Sequence, residues 1–315
     1  MRAVIQVNDL RKQFNPPDGT VAVDRVSFAV EGGEIFSLLG PNGAGKTTTI
    51  SMLSCLLRPT GGEAWVAGSS IIEEPRQVRD HLGVVPQEVA LYLDLNGREN
   101  LRFWGRMYGL SGDELERRID EVLDLIGLAE RQRDRVADYS GGMKRRLNIG
   151  VALLHRPEVL FLDEPTVGID PQSRRSILDG IKDLNSAGMT VLYTTHYMEE
   201  AQEISDRIGI MDHGRMVNCG THAELVRLVG EETRVNVSID GGPEKVAKRW
   251  EGLAGVRILS REGSDLRLLV KDAQDAIPRL FQQAERAGSR LTAITVEEPD
   301  LEDVFLHLTG RELRD

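Results

Sequence analysis

The 315-residue sequence has two cysteines, Cys55 and Cys219. That is too few for a disulfide framework, and a reducing compartment is the simplest reading. It has no apolar run near the roughly 20 residues that a membrane-spanning helix needs. The longest uncharged stretches, Ile35 to Gly45 and Thr47 to Leu57, flank a lysine. Its first residues, Met1-Arg2-Ala3-Val4-Ile5-Gln6, lack the charged-then-apolar plan of a signal peptide. An excess of basic charge is missing too: the net charge of -11 argues against a general nucleic-acid-binding surface. His155, His213 and His222 show no metal-ligand spacing, so no zinc site is expected. What is present is ordinary globular usage, 40% hydrophobic and 28% charged, in a chain longer than one average domain. These features predict a soluble cytoplasmic protein.

Short strands are expected at Ala3 to Val7, Ser27 to Val30 and Ile35 to Leu39, with a helix over Thr47 to Leu57. From Leu95 to about Leu128 the apolar period is helical. Val159 to Leu162 and Thr190 to Tyr193 are nearly continuous apolar runs, the mark of parallel strands buried on both faces, with a helix over Ile177 to Leu184 between them. Ile208 to Met211 and Met216-Val217 flank an Asp212-His213-Gly214 turn as a closing hairpin. This alternation predicts an α/β domain with a parallel core. Composition shifts near Val229-Gly230-Glu231-Glu232. Beyond it a β-α-β-β-α-β order resembles a ferredoxin-like split βαβ unit, followed by a helix over Leu301 to Leu308. The expected division is a first domain over 1–228, with a helical subdomain at about 88–155, and a small α+β domain over 229–315.

Gly40-Pro41-Asn42-Gly43-Ala44-Gly45-Lys46-Thr47 matches the phosphate-binding loop at every fixed position, between a predicted strand and a predicted helix. Its glycines let backbone N–H groups surround phosphate oxygens, Lys46 can reach the β and γ phosphates, and Thr47 offers a hydroxyl to Mg²⁺. Leu160-Phe161-Leu162-Asp163-Glu164 ends an apolar strand in two carboxylates, at the edge where α/β sheets bind ligands. Asp163 suits a water-mediated hold on Mg²⁺ and Glu164 an attacking water. Ser140 can cap a helix whose first N–H groups Gly141 and Gly142 expose. Lys144-Arg145-Arg146 on that helix is expected to be a solvated face, and Cys55 a small core residue.

With Tyr139-Ser140-Gly141-Gly142-Met143 the sequence resembles the nucleotide-binding subunit of ABC (ATP-binding cassette) transporters, whose signature is usually Leu-Ser-Gly-Gly-Gln. The resemblance spans roughly residues 3–225. It implies a P-loop cassette with a mixed sheet, a parallel core and a helical subdomain, binding ATP and Mg²⁺. By position, Phe14 matches the aromatic that stacks on adenine, and Asn42 to Lys46, Thr47 and Thr48 the phosphate cradle. Gln87 matches the hinge glutamine near the metal, Asp170 the loop that crosses to the partner, and His196 the histidine at the γ-phosphate. Thr47, Gln87 and Asp163 are the implied metal surroundings, and Glu164, His196 and Lys46 the catalytic set. Met143 and Tyr139 depart from the usual Gln and Leu.

The resemblance further implies an ATPase working as a dimer that encloses two ATP molecules head to tail. The second chain is another copy or a homologous ATPase. A separate polytopic permease, with the protein peripheral to it on the cytoplasmic membrane face, is also implied, and nucleic acid is not. Glu88, Leu91 and Tyr92 are candidates for the permease contact. The tail, Glu297 to Leu306 and Thr309 to Leu313, resembles the end of bacterial drug-resistance-type exporter ATPases. Export of a drug, lipid or other small molecule is therefore expected, with an importer ATPase or a soluble non-transport ABC ATPase as the alternatives.

Overall fold

The first strands, β1 (Ala3–Gln13) and β2 (Val21–Glu31), pair antiparallel with Val7 opposite Phe28. Ile5, Val7, Phe28 and Val30 alternate into the core. Both strands outrun their expected lengths, because bulges carry the pairing past Asp9 and Arg25, which take positive φ of 48° and 55°. The computed structural model describes residues 3–229, 233–297 and 300–310. Expected features at Gly230 to Glu232, Glu298-Pro299 and Arg311 to Leu313 lie outside the described residues.

β3 (Ile35–Leu39) is buried at every position and feeds α1 (Lys46–Leu53). This helix stops short of Leu57 because Cys55 turns left-handed at φ 60°, and the amides of Leu56 and Leu57 both fold back on the Ser51 carbonyl. Next come β4 (Gly61–Val66), β5 (Ser69–Ser70), α2 (Pro75–His81) and β6 (Leu82–Val85). The expected long helical stretch is two helices, α3 (Gly97–Met107) and α4 (Gly112–Leu125). Gly109 at φ 88° breaks it, and Asn96 with Glu99 forms a capping box on α3.

The remaining elements of this unit are α5 (Gly141–Leu153), β7 (Val159–Asp163), α6 (Pro171–Ser186), β8 (Thr190–Thr195), α7 (Met198–Ile204), β9 (Arg207–Asp212) and β10 (Arg215–Gly220). A six-stranded sheet runs β10-β9-β3-β8-β7-β6, parallel throughout except for β10. Parallel strands put the C-terminal ends of β3, β7 and β8 on one edge, so the loops they feed converge. Phe36, Leu38, Phe161 and Leu192 face a core shared with α1 and the antiparallel sheet β2-β1-β4-β5. Leu160, Leu162, Val191 and Tyr193 face a second core with α4, α5 and α6.

The chain divides into two compact units, the first ending at His222 and the second beginning at Ala223. The second opens within α8 (His222–Val226). It continues as β11 (Thr233–Asp240), α9 (Pro243–Trp250), β12 (Val256–Glu262), β13 (Asp265–Val270), α10 (Ala273–Arg286), β14 (Arg290–Glu297) and α11 (Leu301–Thr309). Its antiparallel sheet has the order β12-β13-β11-β14, the arrangement of a ferredoxin-like split βαβ unit. Trp250, Val237, Leu268 and Leu280 fill its core.

Candidate active site

The loop between β3 and α1 holds its glycines where a side chain would not fit. A Cβ on Gly40 would lie 2.2 Å from the Met211 carbonyl oxygen, and Gly45 takes φ 101° directly before the helix. Asn42 and Gly43 are exposed, Ala44 to Lys46 are buried, and Lys46, Thr47 and Thr48 form the first turn of α1. Lys46 Nζ donates back to the carbonyls of Gly40 (2.7 Å) and Pro41 (3.1 Å). It also pairs with Glu164 Oε1 at 3.0 Å, both side chains being almost wholly buried.

β7 delivers the two carboxylates. Asp163 Oδ1 accepts from the hydroxyls of Thr194 (2.6 Å) and Thr47 (3.2 Å). Burial pushes its carboxyl above the usual range, and these two hydroxyls pull it back. The chain then turns sharply: Glu164 is left-handed at φ 45°, and its amide donates to Thr194 Oγ1 (3.0 Å). A non-glycine residue held there is strained, and its carboxylate lies against Lys46. His196, just past β8, brings Nδ1 to 3.3 Å from Glu164 Oε2, and Gln87 Nε2 approaches the same oxygen at 3.5 Å. The cation, the acid pair, the histidine and the glutamine thus come together from four separate segments.

The other sequence-predicted residues stand apart from this cluster. Phe14 is exposed, with Lys12 Nζ 5.3 Å from its ring centre. Ser140 caps α5, accepting from the Met143 amide at 3.2 Å. Asp170 caps α6, accepting from the Ser173 amide at 2.9 Å, and hydrogen bonding from the Ser173 side chain, then from its amide, holds the carboxyl below the usual range. Among the described residues, neither cap hydrogen-bonds to the phosphate loop. The two helix starts do touch, since a Cβ on Gly142 would collide with Ser173 Oγ at 2.2 Å, while Gly141 faces Ile169. Met143, in place of the usual glutamine, packs against the apolar core. The Tyr139 hydroxyl is spoken for by the Arg131 carbonyl at 2.8 Å.

Sequence reasoning missed three residues. Thr194 ties both acids to β8. Glu200 is buried in α7 and accepts from Tyr193 (2.8 Å) and Thr195 (2.9 Å), with Arg174 of α6 at 3.5 Å. Arg145, expected on a solvated face, is 4% exposed and points inward. Only a buried-side periodicity count along α5 could have flagged Arg145; nothing local marks the other two.

Comparison with known proteins fixes the family. The ABC transporter profile matches residues 23–167, and a DrrA1-3-like C-terminal domain profile matches residues 220–309. The linearmycin resistance ATP-binding protein LnrL of Bacillus subtilis is 44% identical, covering 99% of this chain and 100% of that protein. This chain belongs to the ABC transporter ATP-binding family. Among other relatives of this ABC ATP-binding chain is the daunorubicin resistance ATP-binding protein DrrA3 of Streptomyces coeruleorubidus, 40% identical over 93% of this chain and 92% of that one. The Nod factor export ATP-binding protein I of Paraburkholderia xenovorans is 39% identical over 99% of both. A solved ATP-binding subunit of an ABC transporter superposes with a TM-score of 0.64 at 31% identity, over 72% of this chain and 93% of that one. A dimeric cassette solved after hydrolysis, with ADP and phosphate bound, gives 0.63 at 26%, over 69% and 98%.

Proposed function

We propose that this chain is the ATP-hydrolysing subunit of an ABC exporter, acting as a pair of ATPase chains on a separate polytopic membrane permease. The observation that carries the reading is the buried Lys46–Glu164–His196 cluster at the phosphate loop, in a chain whose full-length relatives are named for resistance and export. No helix among the described residues is long and apolar enough to cross a membrane, which fits a permease on another polypeptide.

In this reading the backbone of Asn42 to Lys46 and the N-terminus of α1 hold the β and γ phosphates, and Phe14 stacks on the adenine. Lys46 exchanges its Glu164 partner for phosphate oxygens, which frees the carboxylate. Glu164 then takes a proton from the water that attacks the γ-phosphorus, as the bond to the ADP oxygen breaks. His196 orients the γ-phosphate beside it. Thr47 and Asp163 present a hydroxyl and a carboxylate oxygen, and Gln87, whose side-chain amide lies beside Glu164, carries a carbonyl oxygen; this donor set suits a hard cation and would hold Mg²⁺. The metal would neutralise charge on the β and γ phosphates. The free N–H groups at the start of α5, with Ser140, Gly141 and Gly142, would face the γ-phosphate of the second chain, and Asp170 its loops. The exposed Tyr92, packed edge-on against Phe103 at 4.7 Å, and Glu88 supply the permease contact. Leu91 is partly buried against the core and supports that surface from beneath.

The test is an affinity pull-down of the tagged chain from gently solubilised native membranes, with mass identification of what accompanies it. Recovery of a polytopic membrane protein without a solute-binding protein is expected. A reproducible soluble or nucleic-acid partner with no membrane protein would overturn the transporter reading and leave an ATPase alone.

A further inference from the structure

Of the three basic residues after the signature turn, only the middle one is buried. From α5 the Arg145 guanidinium reaches across to the segment leaving β6. There it donates Nη1 to the Pro86 carbonyl (2.8 Å) and Nη2 to the Gln87 carbonyl (2.7 Å). Among the described residues no carboxylate pairs with it at hydrogen-bond distance; two carbonyl dipoles hold the charge, Asp163 acts on it only from farther away, and Nε has no hydrogen-bond partner. Burial draws the guanidinium below its usual range, yet it remains a cation. One turn along the same helix, Asn148 Oδ1 accepts from the Ala90 amide at 3.3 Å. The helix is thus fastened to residues 86–90 at three points.

A buried charge with no carboxylate in hydrogen-bond contact is costly, and a packed apolar side chain would usually be tolerated better. What the fork supplies is geometry: two parallel donors fix two successive carbonyls in distance and in angle. The fixed segment carries Gln87, whose amide reaches Glu164. The fastening helix is capped by Ser140, five residues before Arg145 in the sequence.

We propose that Arg145 is a positioning residue for Gln87, locking the carbonyls of Pro86 and Gln87 to α5 so that movement of the signature helix is passed to the Glu164 carboxylate. The inference rests on the assignment of Gln87 to the site and goes beyond it by naming the link.

The experiment is a double-mutant cycle on the full chain with MgATP, using Arg145→Met, Arg145→Lys, Gln87→Ala and the paired variants. Arg145→Met should lower kcat about 10- to 100-fold, the scale of a small misplacement at a reacting centre. Its KM for ATP should move less than about threefold, because the phosphate loop is untouched. Arg145→Lys should recover part of the rate. In the Gln87→Ala background, Arg145→Met should cost less than about twofold more. A merely structural role would lower thermal stability and leave the two effects multiplying, and that outcome, or a parental kcat in Arg145→Met, overturns the proposal. Should Arg145→Met fail to fold, Arg145→Lys carries the same cycle. Gln87→Ala at the parental rate would instead overturn the assignment of Gln87. That failure is distinguishable, because loss of the link alone leaves Gln87→Ala slow.

Discussion

The two units of this chain treat buried polarity in opposite ways. Among the described residues, the cassette encloses Lys46, Asn100, Arg145, Asn148, Asp163, Glu164 and Glu200, with several threonines and serines. The described residues of the second unit enclose one polar side chain, Ser289, around a core of Val235, Val237, Trp250, Leu268 and Leu280. Both have sheets and amphipathic helices, so the difference does not come from fold class. Removing charge from water costs several kcal/mol per ion, and a fold keeps such groups only where geometry is needed more than stability. Dry packing in the second unit specifies a shape. The polar interior of the cassette specifies a reaction.

Glu164→Gln should break that contrast most sharply. The amide cannot accept the proton, so kcat should fall about 10²- to 10⁴-fold, the usual scale of general-base catalysis. Lys46 keeps the carbonyls of Gly40 and Pro41, so ATP affinity should stay within a few-fold. Steady-state phosphate release beside equilibrium nucleotide binding checks both, and turnover at the parental rate would remove Glu164 from its role. Next in size is Trp250→Ala in the dry core. Trp250 is fully buried, and its Nε1 donates to the Leu280 carbonyl at 3.2 Å. The loss should be about 3–5 kcal/mol of stability in the second unit, read by circular dichroism in urea. The same variant should bind ATP as the parent does, since the residues packed around Trp250 all belong to its own core. A large shift in ATP affinity would erase the contrast between shape and reaction.

How much of this could be read from sequence follows the same division. The loop between β3 and α1 was legible because its glycines and lysine are contiguous, and the place of Asp163-Glu164 because a run of apolar residues delivers both acids at a strand end. The order of elements in the second unit was legible too, since alternation and helical period survive in a dry core. Lengths were less so: β1 and β2 run on through bulges at Asp9 and Arg25 that no pattern announces. The contacts of Thr194 and Glu200 were illegible for another reason. Threonine in a strand and glutamate in a helix are ordinary, and only long-range packing brings Thr194 onto Asp163 and Glu200 onto Tyr193. Lys144-Arg145-Arg146 misled because successive helical residues point about 100° apart, and with α5 buried on so many sides one of the three had to face inward.

Glu200 offers a finer test of the polar interior outside the Lys46–Glu164–His196 cluster. Glu200→Leu should leave the hydroxyls of Tyr193 and Thr195 without their shared acceptor and release Arg174, costing about 2–3 kcal/mol. Glu200→Gln keeps an acceptor oxygen and should cost about 1 kcal/mol. Urea unfolding of both variants decides the matter. Equal losses would mean that the charge, rather than the acceptor geometry, is what this helix needs.

The smallest effect lies on the surface of the cassette. Glu116 of α4 joins two arginines of α3, Arg102 at 2.7 Å and Arg98 at 2.9 Å. Hydrogen bonds from Arg102, then Arg98, hold its carboxyl down to about 2 from a usual 4.5. A carboxylate whose folded value is depressed contributes its full stabilisation above the unfolded value. That contribution fades as pH falls from about 4.5 toward about 2. Glu116→Gln should therefore flatten the acid limb of the stability curve in that window and lower stability at neutral pH by about 1 kcal/mol at most, because the cluster is solvated and screened. Adding salt should shrink the difference between parent and variant. Glu164 would not respond in that way, because its cation is buried with it. Urea titrations of Glu116→Gln at low and high ionic strength would therefore separate charge kept for stability from charge kept for chemistry within the same unit.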